Sequence, residues 1–247
     1  LEDRKPEVTQ NTLYEHKCRL NRFLEWCEDE NFEEMNSMTR RKAHAYKQHR
    51  VEQVAAITVE HEMRTFRIFL RFCERIGGVP DGVAASVSVP KAKRAERSRS
   101  VSLSEDAADR ILDYLAKYEY ASFRHVLFNL VWNLGCRIGG IRAIDLGDFH
   151  AQSPDGPFIE FHHRPETGTP LKNKWKSERK PPIRESLRDV IVDYIEAHRY
   201  DVTDDHGRQP LLTTQQGRPA KTTIQRNIYA MTRPCYYTNE CPHDRDQ

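Results

Sequence analysis

Residues 123–134 form an almost wholly apolar stretch of helical period that runs into Gly135, and Arg137 stands two positions later. A second apolar period restarts at once, at Ile138, Ile141, Ile144 and Leu146. A helix that is apolar on nearly every face must lie inside a folded unit, so its neighbours are obliged to pack around it. Glycine supplies the left-handed conformation that closes such a helix. An arginine at the head of the next short apolar segment is poor packing material, because an unpaired guanidinium is seldom buried. It makes chemical sense as a planar, permanently charged fork held rigidly toward an anion such as a phosphate.

The 247 residues suffice for two modest domains with cores of their own. Pro90-Lys-Ala-Lys-Arg-Ala-Glu-Arg-Ser-Arg-Ser100 has no apolar period and reads as a basic linker, residues 90–100, between domains at 1–89 and 101–247. Upstream, the periodicity predicts four helices. The first spans 12–31 and stacks Leu13, Leu20, Leu24 and Cys27; the second starts at a cap within 37–39 and runs through a basic stretch, 40–50. A third begins at Thr58, carries Val59, Met63, Phe66, Leu70, Cys73 and Ile76 on one face, and ends at Gly77-Gly78; a short fourth covers 81–86. Downstream, Ser102 or Ser104 caps a helix with Glu105 and Asp106 in its first turn. After the arginine segment come a turn at 153–156, a weak strand at 158–161, a polar basic segment at 165–180, and helices at 184–198 and 222–232. The expected fold class is mainly α, with a small antiparallel sheet in the second domain.

A formal net charge of only +2 hides strong local clustering. Residues 40–50 carry five basic side chains and no acid, and residues 91–99 and 171–180 each carry five basic and one acidic. One such patch is commonly a solvated helix face, but three against a near-neutral total are the footprint expected for a polyanion partner. The candidate contacts are Arg40, Arg41, Lys42 and Lys47 in the first patch, Lys91, Lys93 and Arg94 in the linker, and Lys174 and Arg179 in the third. No apolar run reaches the roughly 18 residues of a spanning helix and no secretory pattern opens the chain, so a cytoplasmic protein without a membrane partner is expected. Cys18, Cys27, Cys73 and Cys136 lie in apolar helical contexts, which excludes a secreted disulfide framework. Cys235, Cys241 and His243 offer three of the four ligands of a zinc site at an atypical spacing; they read as a cysteine-bearing loop, and no metal site is expected.

Gly135, Cys136, Arg137, Ile138 and Gly139, with Leu146, Asp148 and Phe149 behind them, resemble the first conserved box of the tyrosine recombinases, the phage-integrase family. Leu134 stands where that box has threonine, and Gly140 where it has an acid. The four helices ahead of a basic linker are similar to the family's SAM-like core-binding domain, and residues 169–183 to its lysine-bearing hairpin. The sequence around Cys235 and Cys241 resembles an insertion in integrases of halophilic archaea. The resemblance implies a core-binding domain that clamps one face of duplex DNA, followed by an α+β catalytic domain. It implies that Arg137 is the first of two arginines gripping the scissile phosphate. Lys172, ahead of the hairpin turn, becomes the general acid toward the leaving hydroxyl, with Lys174 as second choice, and Arg179 a backbone contact. It further implies a 3′-phosphotyrosyl intermediate, no metal or nucleotide cofactor, and self-association on DNA.

The family pattern asks for more than these residues. Its second arginine lies in a His-x-x-Arg box well after the first, with the nucleophilic tyrosine beyond. No His-x-x-Arg follows Arg137: His243-Asp-Arg245 is one residue short, and His162-His-Arg164 stands too early. Tyr229, Tyr236 and Tyr237 precede any possible second box. With leucine at position 1, the expectation is a fragment in which 101–247 is the first half of a catalytic domain, inactive alone. The two leading functions are therefore an incomplete site-specific recombinase and a non-catalytic DNA-binding protein derived from an integrase. A helical interaction module with merely solubilising patches is a third, and would lack DNA affinity even at low salt.

Overall fold

Side-chain caps and buried stripes set the helices of the first half. The computed structural model describes residues 1–93, 96 and 102–238, and the chain divides into two units, Leu1–Val101 and Ser102–Gln247. In the first unit, α1 (Gln10–Asp29) begins where the Thr9 hydroxyl accepts the Thr12 N–H, and α2 (Arg40–Gln53) where the Thr39 hydroxyl accepts that of Lys42. Helix α3 (Ala56–Arg75) starts ahead of Thr58, with Ala55 at its N-cap and no side-chain cap. Gly82, at φ 82°, leads into the single-turn α4 (Val83–Ser86).

Aromatic rings fill the centre of this unit. Phe23 lies 4.7 Å from Phe66 and 5.1 Å from Tyr46, and Tyr46 meets Phe66 edge-on at 4.9 Å. The rings, not the leucines, decide which face of α1 turns inward: Leu13, His16, Phe23, Trp26 and Cys27 are buried, while Leu24 is 56% exposed. Ile76, expected on the buried stripe of α3, is 62% exposed because that helix ends at Arg75. Arg50 leaves the surface patch as well. It is buried and donates to both oxygens of Glu62, from Nε at 2.8 Å and Nη2 at 3.1 Å, a fork that pins α2 to α3.

The second unit is built around α6 (Phe123–Leu134), which packs against α5 (Glu105–Tyr118), α7 (Ile138–Ala143), α8 (Glu185–Ala197) and α9 (Lys221–Met231). Ser104 caps α5, and α10 (Pro234–Thr238) follows α9. Strands β1 (Phe149–His150) and β2 (Phe158–Ile159) pair antiparallel, Phe149 with Ile159 and His150 with Phe158. The chain then returns alongside β2 through single bridges, Phe158 with Pro182 and Phe161 with Arg179, which close a hairpin over the intervening basic segment.

A charge network ties the turn after α7 to two distant loops. Asp145 accepts from Arg208 Nε at 2.8 Å and from Arg218 Nη2, and lies 3.3 Å from Arg164 Nη1. Asp148, itself buried, accepts both arms of the Arg164 fork, at 2.8 and 2.6 Å, and the Asp145 N–H at 2.9 Å. Arg218 reaches on to Asp204 at 2.7 Å, and Arg208 to the Thr169 hydroxyl at 2.8 Å. Such a network is stable only when every charge in it is answered. Asp145→Ala, which removes the carboxylate shared by Arg208 and Arg218, should therefore cost about 3 kcal/mol in urea unfolding, against about 1 kcal/mol for the cap variant Thr39→Ala. A cost for Asp145→Ala no larger than the cap's would show that the arginines find other acceptors.

Candidate functional site

Gly135 takes the left-handed conformation, φ 53° and ψ 27°, and its N–H still reaches the Val131 carbonyl at 3.1 Å. Arg137 is the N-cap residue of α7, in extended conformation, and its carbonyl accepts the Gly140 and Ile141 N–H groups at 2.8 and 3.2 Å. The backbone of Arg137 thus starts the helix while its side chain takes no part in capping it. Among the described residues the exposed guanidinium has neither a hydrogen bond nor an ion pair.

Arg137 opens onto a pocket of about 360 Å³ lined by Gly135, Cys136, Gly140, Phe161, Leu171, Lys172, Ser177 and Arg179. Phe161, buried at 2% exposure, supplies the wall toward α7, and Gly140 lets it come close: a Cβ on Gly140 would lie 3.3 Å from the ring. The Arg179 guanidinium sits 4.4 Å above the same ring and donates to the Ser177 carbonyl at 3.2 Å. Leu171 is buried, and its N–H donates to His163 Nδ1 at 3.0 Å, which anchors the chain next to Lys172. Arg137, Lys172 and Arg179 are three cations facing one space, with no carboxylate on its walls. Two planar forks and a mobile ammonium suit a tetrahedral oxyanion.

The other predicted contacts are placed differently. Lys174 is exposed at φ 54° and lies outside the pocket lining. Lys180, in the same basic segment though not among the expected contacts, is paired with Glu160 at 2.7 Å. In the first unit Arg40 lies across Gly82, its Nη2 being 2.8 Å from where a Cβ would stand, and Arg41 is exposed. The Lys42 ammonium rests 4.3 Å over the Phe32 ring, and Lys47 donates to the Ser88 hydroxyl. Lys91 and Lys93 are exposed; Arg94, Cys241 and His243 lie outside the described residues. Among the described residues, no group of histidines, cysteines and carboxylates is arranged to hold a metal ion, and no helix is long and apolar enough to cross a membrane.

None of the three late tyrosines lines the pocket. Tyr236 donates to Glu119 and accepts from Arg124 Nη1 at 3.3 Å; burial and the Glu119 carboxylate push its phenol up to about 12. Tyr229 is exposed on α9, its oxygen accepting from Gln225 at 2.8 Å. The sequence reading missed Phe161 and Ser177 as lining residues, and Arg164, Arg208 and Arg218 as the network that holds the surrounding loops. No local pattern marks any of them.

No protein-family model matches this chain, and no curated protein matches it. Solved structures do. A lambda integrase dimer bound to a COC′ core site aligns with a TM-score of 0.62 at 13% identity, over 92% of this chain and 72% of that one. The Tn1549 transposon integrase in complex with a circular intermediate DNA gives 0.65 at 13% identity, over 96% of this chain and 76% of that one. The N-terminal domain of a phage integrase/site-specific recombinase from Haloarcula marismortui is 27% identical over 36% of this chain and 86% of that domain, with a TM-score of 0.35. The chain has the fold of the tyrosine recombinases and integrases: mainly helical, with a small antiparallel sheet.

Burial pushes the Cys136 thiol at the pocket rim up to about 11, against the opposing pull of Arg179. Since the thiolate is the reactive form, alkylation of Cys136 by iodoacetamide should be slow at pH 8 and accelerate toward pH 11, read by peptide mass spectrometry. Fast labelling at pH 8 would show that the surrounding cations outweigh burial.

Proposed function

We propose that this chain is a DNA-binding protein of the tyrosine-recombinase class whose Arg137 and Lys172 face the scissile phosphate. The observation that carries this reading is the pocket where Arg137, Lys172 and Arg179 converge without a carboxylate. A phosphodiester attacked by a hydroxyl gains charge on its non-bridging oxygens, and a guanidinium fork held by its backbone stabilises that charge without having to reorganise. The Lys172 ammonium is mobile enough to reach the leaving oxygen and donate a proton. Arg179, fixed over Phe161, holds the neighbouring backbone. Neither step needs a metal or a nucleotide cofactor.

In this proposal residues 1–89 are the core-binding domain, 90–100 a basic linker, and 101–247 belong to the catalytic domain. Arg40, Arg41, Lys42, Lys47, Lys91, Lys93, Arg94 and Lys174 add phosphate contacts that fix position without reading sequence. Self-association on DNA belongs to the proposal too, as the lambda integrase structure is a dimer on its site. No His-x-x-Arg follows Arg137, and Tyr236 is engaged by Glu119 and Arg124, so this proposal assigns neither a second arginine box nor a nucleophile within these residues. The same two facts favour, as a second reading, a non-catalytic DNA-binding protein derived from an integrase.

The chain should bind duplex DNA with an affinity that falls steeply as salt rises, and form no covalent adduct on a suicide substrate. A denaturant-resistant adduct would refute the missing-nucleophile argument, and no binding at about 50 mM salt would refute DNA binding itself. Arg137→Ala should lower the slope of log affinity against log salt by about one, with the urea midpoint unchanged because the side chain holds nothing in the fold. An unaltered slope would remove Arg137 from the phosphate contacts.

A further inference from the structure

Trp175 stands on the turn between two of the pocket cations, Lys172 and Arg179, and 63% of it is exposed. Lys172, Lys174 and Lys176 surround it in the sequence, and Lys172 and Ser177, on either side, line the pocket. An indole offers a large flat apolar face, and leaving one in water on a loop carries no benefit to the fold. The side chain is nevertheless supported. Its ring lies 4.8 Å from that of His163 at 84°, and His163, 8% exposed, is fixed by the Leu171 N–H. The single turn Lys174–Ser177 thus presents an aromatic face beside the cationic pocket.

We propose that Trp175 is a nucleobase-binding residue, its indole stacking on a base unstacked next to the phosphate that Arg137 holds. This rests on reading the pocket as a phosphate site. Cations alternating with an aromatic are the composition of nucleic-acid-binding loops, since one grips the backbone and the other takes any base by its π-face. A protein partner fits less well, because burying the indole against an apolar surface would also desolvate three ammonium groups. A regularly stacked duplex offers no free base face, so engagement requires a deformed or unpaired step.

The test compares an intact duplex with one of equal length carrying a single-nucleotide bulge, by fluorescence anisotropy and by tryptophan emission. In a Trp132→Phe background the emitters are Trp26, buried in the first unit, and Trp175. The bulged duplex should bind roughly ten-fold more tightly than the intact one and quench emission. Trp175→Ala should abolish the preference and the quenching while leaving the salt slope unchanged, and Trp175→Phe should retain most of the preference. If Trp175→Ala lowers the urea midpoint, Trp175→Leu keeps the bulk without the aromatic face and is expected to lose the preference likewise. Equal preference in wild type and Trp175→Ala, with no quenching, overturns the proposal and leaves the phosphate reading standing. Absence of DNA binding by the wild type overturns both. An altered sedimentation coefficient in Trp175→Ala with DNA binding unchanged overturns it in favour of a protein contact.

Discussion

Two neighbouring carboxylates, Asp145 and Asp148, gather the guanidinium groups of Arg164, Arg208 and Arg218, and the second unit depends on that arrangement. They sit in the turn directly after the helix that Arg137 begins, so the loops they capture become the surroundings of that corner. Buried ions recover their hydration cost only in company, which makes the assembly close to all-or-none. It also sorts most arginines of this region into two groups. Some are committed to carboxylates within the fold, while Arg137 and Arg179 are left facing a space without acids. Arg142 belongs to neither group: it donates to the Pro219 and Gly168 carbonyls, and burial together with Arg218 lowers its affinity for a proton.

Helix α6 was readable from the sequence because an all-round apolar stretch can only be central and a glycine closes it; its bounds match the expectation. The start of α3 was not, since Thr58 looks like a cap but lies inside a helix that begins at Ala56 without a side-chain cap. In α1 the leucine spacing pointed to a face including Leu24, whereas Phe23 and Trp26, with more area to bury, set the rotation. Arg50 could not be told from its exposed neighbours because the carboxylate that claims it, Glu62, lies on the next helix.

The pocket shows the same division between local and long-range information. The corner holding Arg137 has a strong local signature, and the basic hairpin has one of composition. That the two meet follows from the antiparallel return of 179–182 beside 158–161, a register no local pattern announces. The arginine network was invisible for the same reason, its members being joined only by the folded topology.

The departure at Gly140 acquires a physical sense from its neighbour. Where the recombinase box has an acid, the Phe161 ring presses so near the backbone that any side chain would require it to yield by a few tenths of an ångström. Positions 140 and 161 are thus two halves of one volume. A homologue that restores a carboxylate at the first should carry a smaller residue at the second, and the platform beneath Arg179 would shrink with it.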